Sequence, residues 1–180
     1  MTLVNIITQA LVELGMTTDA QQMDEWKQKF AMFANDGMRD LAEYLELRRT
    51  DTVTAPDGLF RVSGLEHTCL KVVGVTQNGA SLPFHTGRTS DEILVDGTGE
   101  MQVEYRYVPN EIKNNTDQPG IPPYLHHLLV SYVVYREHLT ADPTMQRRAD
   151  AFFRMYETGK RKARKTLGEE NTYQFLNVGW

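Results

Sequence analysis

The chain has 180 residues, of which 41% are hydrophobic and 24% are charged, with a mean hydropathy of -0.46 and a net charge of -5. These values exclude a disordered chain, which is poorer in apolar residues, and a membrane-embedded one, which has long uninterrupted apolar runs. The single cysteine, Cys69, excludes an internal disulfide framework and predicts a reducing compartment.

Two helices are predicted at the start of the chain. Over residues 2–15, apolar residues recur at helical spacing after Thr2, a natural cap, and Gly15 provides a stop. A longer helix is predicted at about 20–47, where aromatic and aliphatic residues again recur every three or four positions. Gly37 lies inside this helix at a cost of about 1 kcal/mol relative to alanine, which indicates close packing or a bend at that point.

The period of the pattern changes after Arg49, and residues 50–108 are predicted to form an antiparallel β module. Asn78-Gly79 is the strongest short signal for a hairpin turn. Asp96–Gly99 is predicted to turn a second hairpin between the strands on either side of it. A polar segment rich in Asn, Pro and Gly then links the module to the rest of the chain.

Two further helices are predicted at about 123–140 and 143–167, and Gly168 is predicted to end the second of them. The connection between these helices is short, so they are expected to form an antiparallel hairpin. The predicted fold class is α+β: a four-helix core of two N-terminal and two C-terminal helices, with an inserted antiparallel β module and an extended C-terminal tail. Residues 1–168 form a single domain in this prediction, and residues 169–180 form a docking tail.

Few histidines or cysteines have the spacing of a catalytic or metal site. His67 and Cys69 are two residues apart and could form a nucleophilic pair, but a core thiol beside a partly exposed histidine is the more common arrangement. His126 and His127 are adjacent, so on a helix they point about 100° apart and cannot chelate one metal. No metal or cofactor is therefore expected.

Three carboxylates, Asp36, Asp40 and Glu43, line one face of the second helix. They could form a carboxylate site, but such a run is more often a solvated face paired with cations such as Arg39. With no stronger catalytic signal in the sequence, the chain is predicted not to be an enzyme.

Positive charge is concentrated in residues 147–165, which hold eight Lys or Arg and two acidic residues, a net charge of +6. The remainder, with eleven basic and 22 acidic residues, carries -11. A solvated face at the end of a helix is one interpretation, because cations there are stabilising by about 0.3–1 kcal/mol each. Contact with an anionic partner, either a phosphate backbone or an acidic protein surface, is the other. The candidate residues are Arg147, Arg154, Arg161, Lys162, Arg164 and Lys165.

The last residues of the chain are unusually apolar for a terminus. A tail that folds back onto its own domain would explain this composition, and so would a tail that docks on another chain. Aromatic residues are frequent hot spots of binding, and extended peptides bind well to sheet edges and grooves. The candidate partner-binding residues are Tyr173, Phe175, Leu176, Val178 and Trp180.

The order of predicted elements resembles the head-to-tail connector (adaptor) proteins of tailed bacteriophages. The resemblance rests on IPPYLHHLLVSYVVYREHL, followed by DPTMQRRADAFFRMYETGKRKAR, and on the C-terminal tail. In these proteins a proline-led helix runs into a second helix with the pattern A-x-x-F/Y-x-x-x-Y-E. The matching residues here are Ala149, Phe152, Phe153, Tyr156 and Glu157.

The resemblance implies a structural protein of the virion, made in the host cytoplasm and located at the head–tail interface. Copies would form a homo-oligomeric ring, expected to be dodecameric, that connects the portal to the tail and extends the DNA channel. The implied partners are the portal protein, tail or neck proteins and passing DNA without sequence specificity, with no membrane, and the tail would reach the portal. The alternatives are another neck, tail-completion or tail-tube component, and a small nucleic-acid-binding module or enzyme.

Overall fold

The computed structural model describes the backbone of residues 1–140 and 146–175 and the side chains of residues 1–139 and 146–167. The chain forms two compact units. Unit 1 contains Met1–Leu45 and Glu111–Trp180, and unit 2 contains Glu46–Asn110. That residues 1–168 behave as a single domain stays a prediction.

Unit 1 contains four helices within the described residues. They are α1 (Leu3–Glu13), α2 (Ala20–Leu45), α3 (His126–Thr140) and α4 (Gln146–Phe175). A 3-10 turn at Pro123–Leu125 leads into α3.

Polar side chains fix the starts of α1 and α2. Asn5 Oδ1 accepts a hydrogen bond of 2.9 Å from the backbone N–H of Thr2. Asp19 Oδ1 accepts one of 2.9 Å from the backbone N–H of Gln22, which leaves one fewer unsatisfied donor at the start of α2. α1 ends just before Gly15, whose φ of +72° lies in the left-handed region that glycine enters at little cost.

α3 is the central helix of unit 1 and contacts α1, α2 and α4. A helix with apolar residues on most of its sides is buried on most of its sides. The buried apolar residues of α3 follow that pattern: Leu128, Leu129, Val130, Val133 and Val134. On α2, a Cβ added at Gly37 would lie 2.9 Å from Cδ1 of Tyr132 on α3, so this glycine serves close packing between the two helices.

The fold class predicted from the sequence is wrong in its arrangement. The protein is α+β, with four helices among the described residues and two antiparallel sheets. The helices do not form an N-terminal pair and a C-terminal pair around one inserted β module. The strands lie in the middle of the chain, and α3 contacts all three of the other helices. A pattern of apolar residues indicates which side of a helix is buried, but not which element buries it.

α4 continues past the stop predicted at Gly168 and reaches Phe175. The prediction of an extended tail over 169–180 is therefore wrong for residues 169–175, whose backbone is helical, while residues 176–180 lie outside the described residues. A glycine inside a helix costs only about 1 kcal/mol. The leucine before it and the two glutamates after it favour helix, and no proline follows to force an end.

Unit 2 contains seven strands in two antiparallel sheets. The strands are β1 (Arg48–Ala55), β2 (Leu59–Arg61), β3 (Thr68–Gln77), β4 (Ala80–Ser81), β5 (Phe84–Thr86), β6 (Glu92–Val95) and β7 (Gly99–Val108). One sheet has the order β1-β7-β3-β4 and the other has the order β2-β6-β5. Their apolar side chains form a single buried cluster: Ala55, Phe60, Leu65, Val75, Ile93, Val95, Met101, Val103 and Tyr105.

The hairpin predicted at Asn78-Gly79 is confirmed, and the second predicted hairpin is wrong. β3 and β4 pair across a turn in which Asn78 and Gly79 have φ of +52° and +82°. β6 and β7 flank Asp96–Gly99 but do not pair, because β6 lies between β2 and β5 whereas β7 lies between β1 and β3. Turn residues predict a change of chain direction, but they do not determine which strand becomes the partner.

Candidate partner-binding surface

α4 buries only a narrow side of itself. Its buried residues fall within roughly 60° of one another around the helix axis. They are Ala149, Tyr156, Lys160 and Ala163. Gly159 lies beside this stripe, and a Cβ added there would overlap the side chain of Leu128, so α3 and α4 are in close contact. Most of the α4 surface over the described side chains is left for solvent or for a partner.

Lys160 is a buried cation that joins α4 to α2. Its side chain is 9% exposed, and Nζ lies 2.8 Å from Asp40 Oδ2 and 2.8 Å from Glu157 Oε1. The Tyr156 hydroxyl donates a hydrogen bond to the same Asp40 carboxylate. Burial lowers the pKa of Lys160, but the hydrogen bonds to Asp40 and Glu157 raise it more, so the pKa lies above its ordinary value. This network orients α4 and leaves the opposite side of the helix free.

The carboxylates of α2 do not form the solvated face that the sequence predicts. Asp40 binds Lys160, and Asp36 Oδ2 lies 3.1 Å from NH1 of Arg136 on α3. Glu43 is exposed. The sequence predicts Arg39, a neighbour along the same helix, as the partner, whereas Asp36 and Asp40 pair with residues of other helices. These carboxylates therefore hold the helices of unit 1 together.

The predicted basic residues of α4 are all exposed, and most lie opposite its packing side. Residues seven apart in a helix return to within about 20° of the same side, so Arg147, Arg154 and Arg161 form one row, which we call the basic row. None of the three forms an ion pair with a described residue. Arg164 lies at the flank instead, where its guanidinium stacks on the Tyr44 ring at 5.1 Å.

An apolar groove opens between the start of α3 and the second half of α4. Its volume of about 580 Å³ lies within the range of small-molecule and peptide sites. Its lining includes Leu125, Leu128, Ala163, Thr166 and Leu167. His127 and Lys162 are exposed at its edge, so the groove has an apolar floor and a basic rim.

The described structure does not bring the five predicted tail residues together. Tyr173 and Phe175 belong to the helical backbone of α4, and Leu176, Val178 and Trp180 lie outside the described residues. A partner-binding role for these residues stays a prediction.

His67 and Cys69 lack the geometry of a nucleophilic pair. His67 precedes β3, its Nε2 lies 3.2 Å from NH1 of Arg49, and its ring stacks on Tyr107 at 5.0 Å. Burial raises the pKa of the Cys69 thiol. An activated cysteine requires the opposite shift, because the thiolate is the nucleophile. Their environments therefore match those of a partly buried thiol and a structural histidine.

The adjacent histidines of α3 have different surroundings. His126 is buried and donates a hydrogen bond of 2.9 Å from Nε2 to the carbonyl oxygen of Ile121. Burial lowers the pKa of His126, so the ring is held neutral. His127 is exposed at the rim of the groove. The two rings cannot serve one metal ion.

Asp51 organises a polar cluster in unit 2 that the sequence did not reveal. Its carboxylate accepts hydrogen bonds from the Tyr105 hydroxyl at 2.6 Å, from the backbone N–H of Glu66 at 2.8 Å and from Arg49 Nε at 3.1 Å. Burial raises the pKa of Asp51, but these three donors lower it more, so the pKa lies below its ordinary value. The donors come from distant parts of the sequence, and no local pattern could have identified them. The cluster ties β1 to β7 and to the segment before β3.

Neither metal ligands, nor membrane spans, nor relatives identify a function. Among the side chains of residues 1–139 and 146–167, no group of three or more His, Cys, Asp or Glu could hold a metal ion. No helix within residues 1–140 and 146–175 is long and apolar enough to cross a membrane. No protein-family model matches the chain, and no curated protein matches it.

Proposed function

We propose that this protein is a structural component of a phage virion, a connector whose copies form a ring between the portal and the tail and extend the DNA channel. The observation that carries the proposal is the surface of α4. This helix has a narrow buried side and, opposite to it, a row of exposed cations that no described residue neutralises. Such a surface is suited to assembly, and the resemblance of the α3 and α4 sequences to connector proteins supports the same role.

The basic row has the features of a protein-binding surface. Like charges on one side of a helix repel each other, and an acidic partner relieves that repulsion. Phe153 and Met155 flank the row and are 40% and 58% exposed, so apolar contact area lies beside the charges. The portal is the partner that the resemblance implies, and neighbouring copies could also supply acidic residues, because the rest of the chain carries a net charge of -11.

Nucleic-acid binding is the second candidate, since the same exposed cations would suit a phosphate backbone. The two candidates differ in their response to salt. Binding to DNA releases counterions, so its affinity falls steeply and linearly on a logarithmic scale as salt increases. A contact that combines charges with apolar side chains changes less, because only its charged part is screened.

Reversing two charges of the basic row tests the proposal. The double variant Arg154→Glu and Arg161→Glu is expected to weaken binding to the portal at least tenfold, which corresponds to about 1.4 kcal/mol. Co-sedimentation with purified portal gives the affinity. The matched control, Arg39→Glu with Arg88→Glu, makes the same change of charge at exposed positions outside α4.

The control variant is expected to bind the portal like the unmodified chain. Portal binding that survives reversal of the basic row would remove the observation on which the proposal stands. Loss of a steeply salt-dependent affinity for DNA in the same variant, with portal binding intact, would favour the second candidate.

A further inference from the structure

We propose that, in the absence of the portal, the apolar groove of one copy binds the C-terminal segment of a second copy, residues 176–180. The inference rests on the proposed function in that it names one contact through which copies of this chain associate. The groove lies open between α3 and α4.

The groove lies beyond the close contact of the two helices at Gly159, toward the start of α3 and the second half of α4. At Gly159 the absence of a side chain lets α4 approach Leu128 closely. From there toward Leu167, small or short side chains such as Ala163 and Thr166 line the α4 wall, and Leu125 lines the α3 wall. The resulting volume of about 580 Å³ is large enough for a bulky apolar side chain such as an indole.

The C-terminal segment matches the groove in chemistry. Residues 176–180 read LNVGW, so they offer two aliphatic side chains and a terminal indole to an apolar floor. Two acidic residues, Glu169 and Glu170, precede them in the sequence. The exposed cation Lys162, which makes no ion pair with a described residue, is among the residues that line the groove. Apolar contact at the floor and opposite charges at the rim then act together.

The length of α4 points to a second copy rather than to the same chain. At 1.5 Å per residue, Phe175 lies about 12 Å beyond Leu167 and about 24 Å beyond Gly159. Five extended residues span at most about 18 Å. The backbone of the same chain's segment can therefore return no further than about the level of Ala163, and it cannot lie along the end of the groove at Gly159. A segment from another copy has no such restriction.

A contact between the tail of one copy and the groove of the next joins two different surfaces. Contacts of this kind are heterologous, and they close into rings or continue as open chains. The resemblance places the same segment on the portal, so groove and portal are alternative sites for it. The inference concerns the protein before the portal is present.

Sedimentation velocity without portal tests the inference on three proteins at equal concentration. They are the full chain, a chain ending at Phe175, and the full chain with Thr166→Trp, which fills the groove from an exposed position. We expect the full chain to associate and each alteration to raise the dissociation constant at least about tenfold, as for other aromatic anchors. Ala151→Trp adds the same side chain at an exposed α4 position that does not line the groove, and it is expected to associate like the full chain.

Mixing the two altered proteins gives the sharper result. The chain ending at Phe175 keeps its groove, and the Thr166→Trp chain keeps its segment. At a concentration below the raised dissociation constants, each alone is expected to be monomeric, and the mixture is expected to form a one-to-one dimer and nothing larger. A monomeric mixture overturns the inference. The inference is also overturned if the full chain sediments as a monomer, as the shortened chain does. This holds whether its groove is empty or is covered by its own segment.

Portal binding of the same proteins separates this inference from the proposed function. A full chain that is monomeric alone but adds a ring to the portal contradicts the groove contact and leaves the connector role standing. A full chain that associates through the groove but never binds the portal contradicts the connector role and leaves the groove contact standing.

Discussion

Replacing Gly159 with valine is expected to destabilise unit 1 by about 2 kcal/mol, a typical cost of overpacking a filled interior. A Cβ at this position would overlap the side chain of Leu128, which is only 3% exposed at the contact between α3 and α4. The helices must then separate, or Leu128 must adopt an unfavourable rotamer. Urea unfolding followed by far-ultraviolet circular dichroism measures the loss, because the helices are in unit 1.

A double-mutant cycle with Leu128→Ala is the control for this prediction. Leu128→Ala alone leaves a cavity and is expected to cost about 2–5 kcal/mol. If the clash causes the effect, adding Gly159→Val to that background costs less, because the obstructing atoms have been removed. An equal cost in both backgrounds would contradict the close contact between α3 and α4.

The substitution Asp51→Ala is expected to destabilise unit 2 by about 3 kcal/mol. It removes the acceptor of the Tyr105 hydroxyl, on a side chain that is 0% exposed, and the acceptor of the Glu66 backbone N–H. A buried donor left without an acceptor costs about 1–3 kcal/mol. The ion pair with Arg49 adds little, because the Arg49 side chain is 40% exposed and solvent screens its charge. Hydrogen exchange of the β1, β3 and β7 amides, measured by mass spectrometry, follows unit 2 separately.

Asp57→Ala, at an exposed position before Gly58, is the matched control and is expected to change exchange little. The dependence of the stability of unit 2 on acid pH is a second measurement. Because the pKa of Asp51 lies below its ordinary value of 3.8, its contribution to stability is present above that pH and is lost as the pH falls through the folded-state pKa. Asp51→Asn is expected to remove this part of the acid dependence, and an unchanged acid profile would show that the carboxylate is not the organising group.

Local features of the fold could be predicted from the sequence. The capped start of α1 and its end at Gly15 follow from the preferences of a few adjacent residues, as does the turn at Asn78-Gly79. In each case the residues that determine the structure lie within a few positions of one another, and their hydrogen bonds or φ angles do not depend on distant partners.

The arrangement of these elements could not be predicted in the same way. β6 and β7 follow one another across a turn yet belong to different sheets, because each finds a better partner elsewhere in the chain. Asp40 and Lys160 are 120 residues apart in sequence, and no periodicity relates them. Gly37 signals close packing, but only the structure identifies Tyr132 as the neighbour.

The candidate site likewise has one part that local sequence predicts and one part that depends on distant contacts. The basic row follows from the helical period alone, since Arg147, Arg154 and Arg161 are seven residues apart. The groove depends on where α3 and α4 touch, so it could not be anticipated from either helix. Gly168 predicts the end of α4 wrongly, because its neighbours favour helix and no proline follows.

Electron microscopy of the portal tests the connector role most directly. The portal encoded alongside this protein is mixed with the full chain or with a chain truncated after Gly168, and both chains are first shown to unfold at nearly the same temperature. The account predicts an added ring of density on the portal with the full chain and bare portals with the truncated chain. Bare portals with the full chain would contradict it.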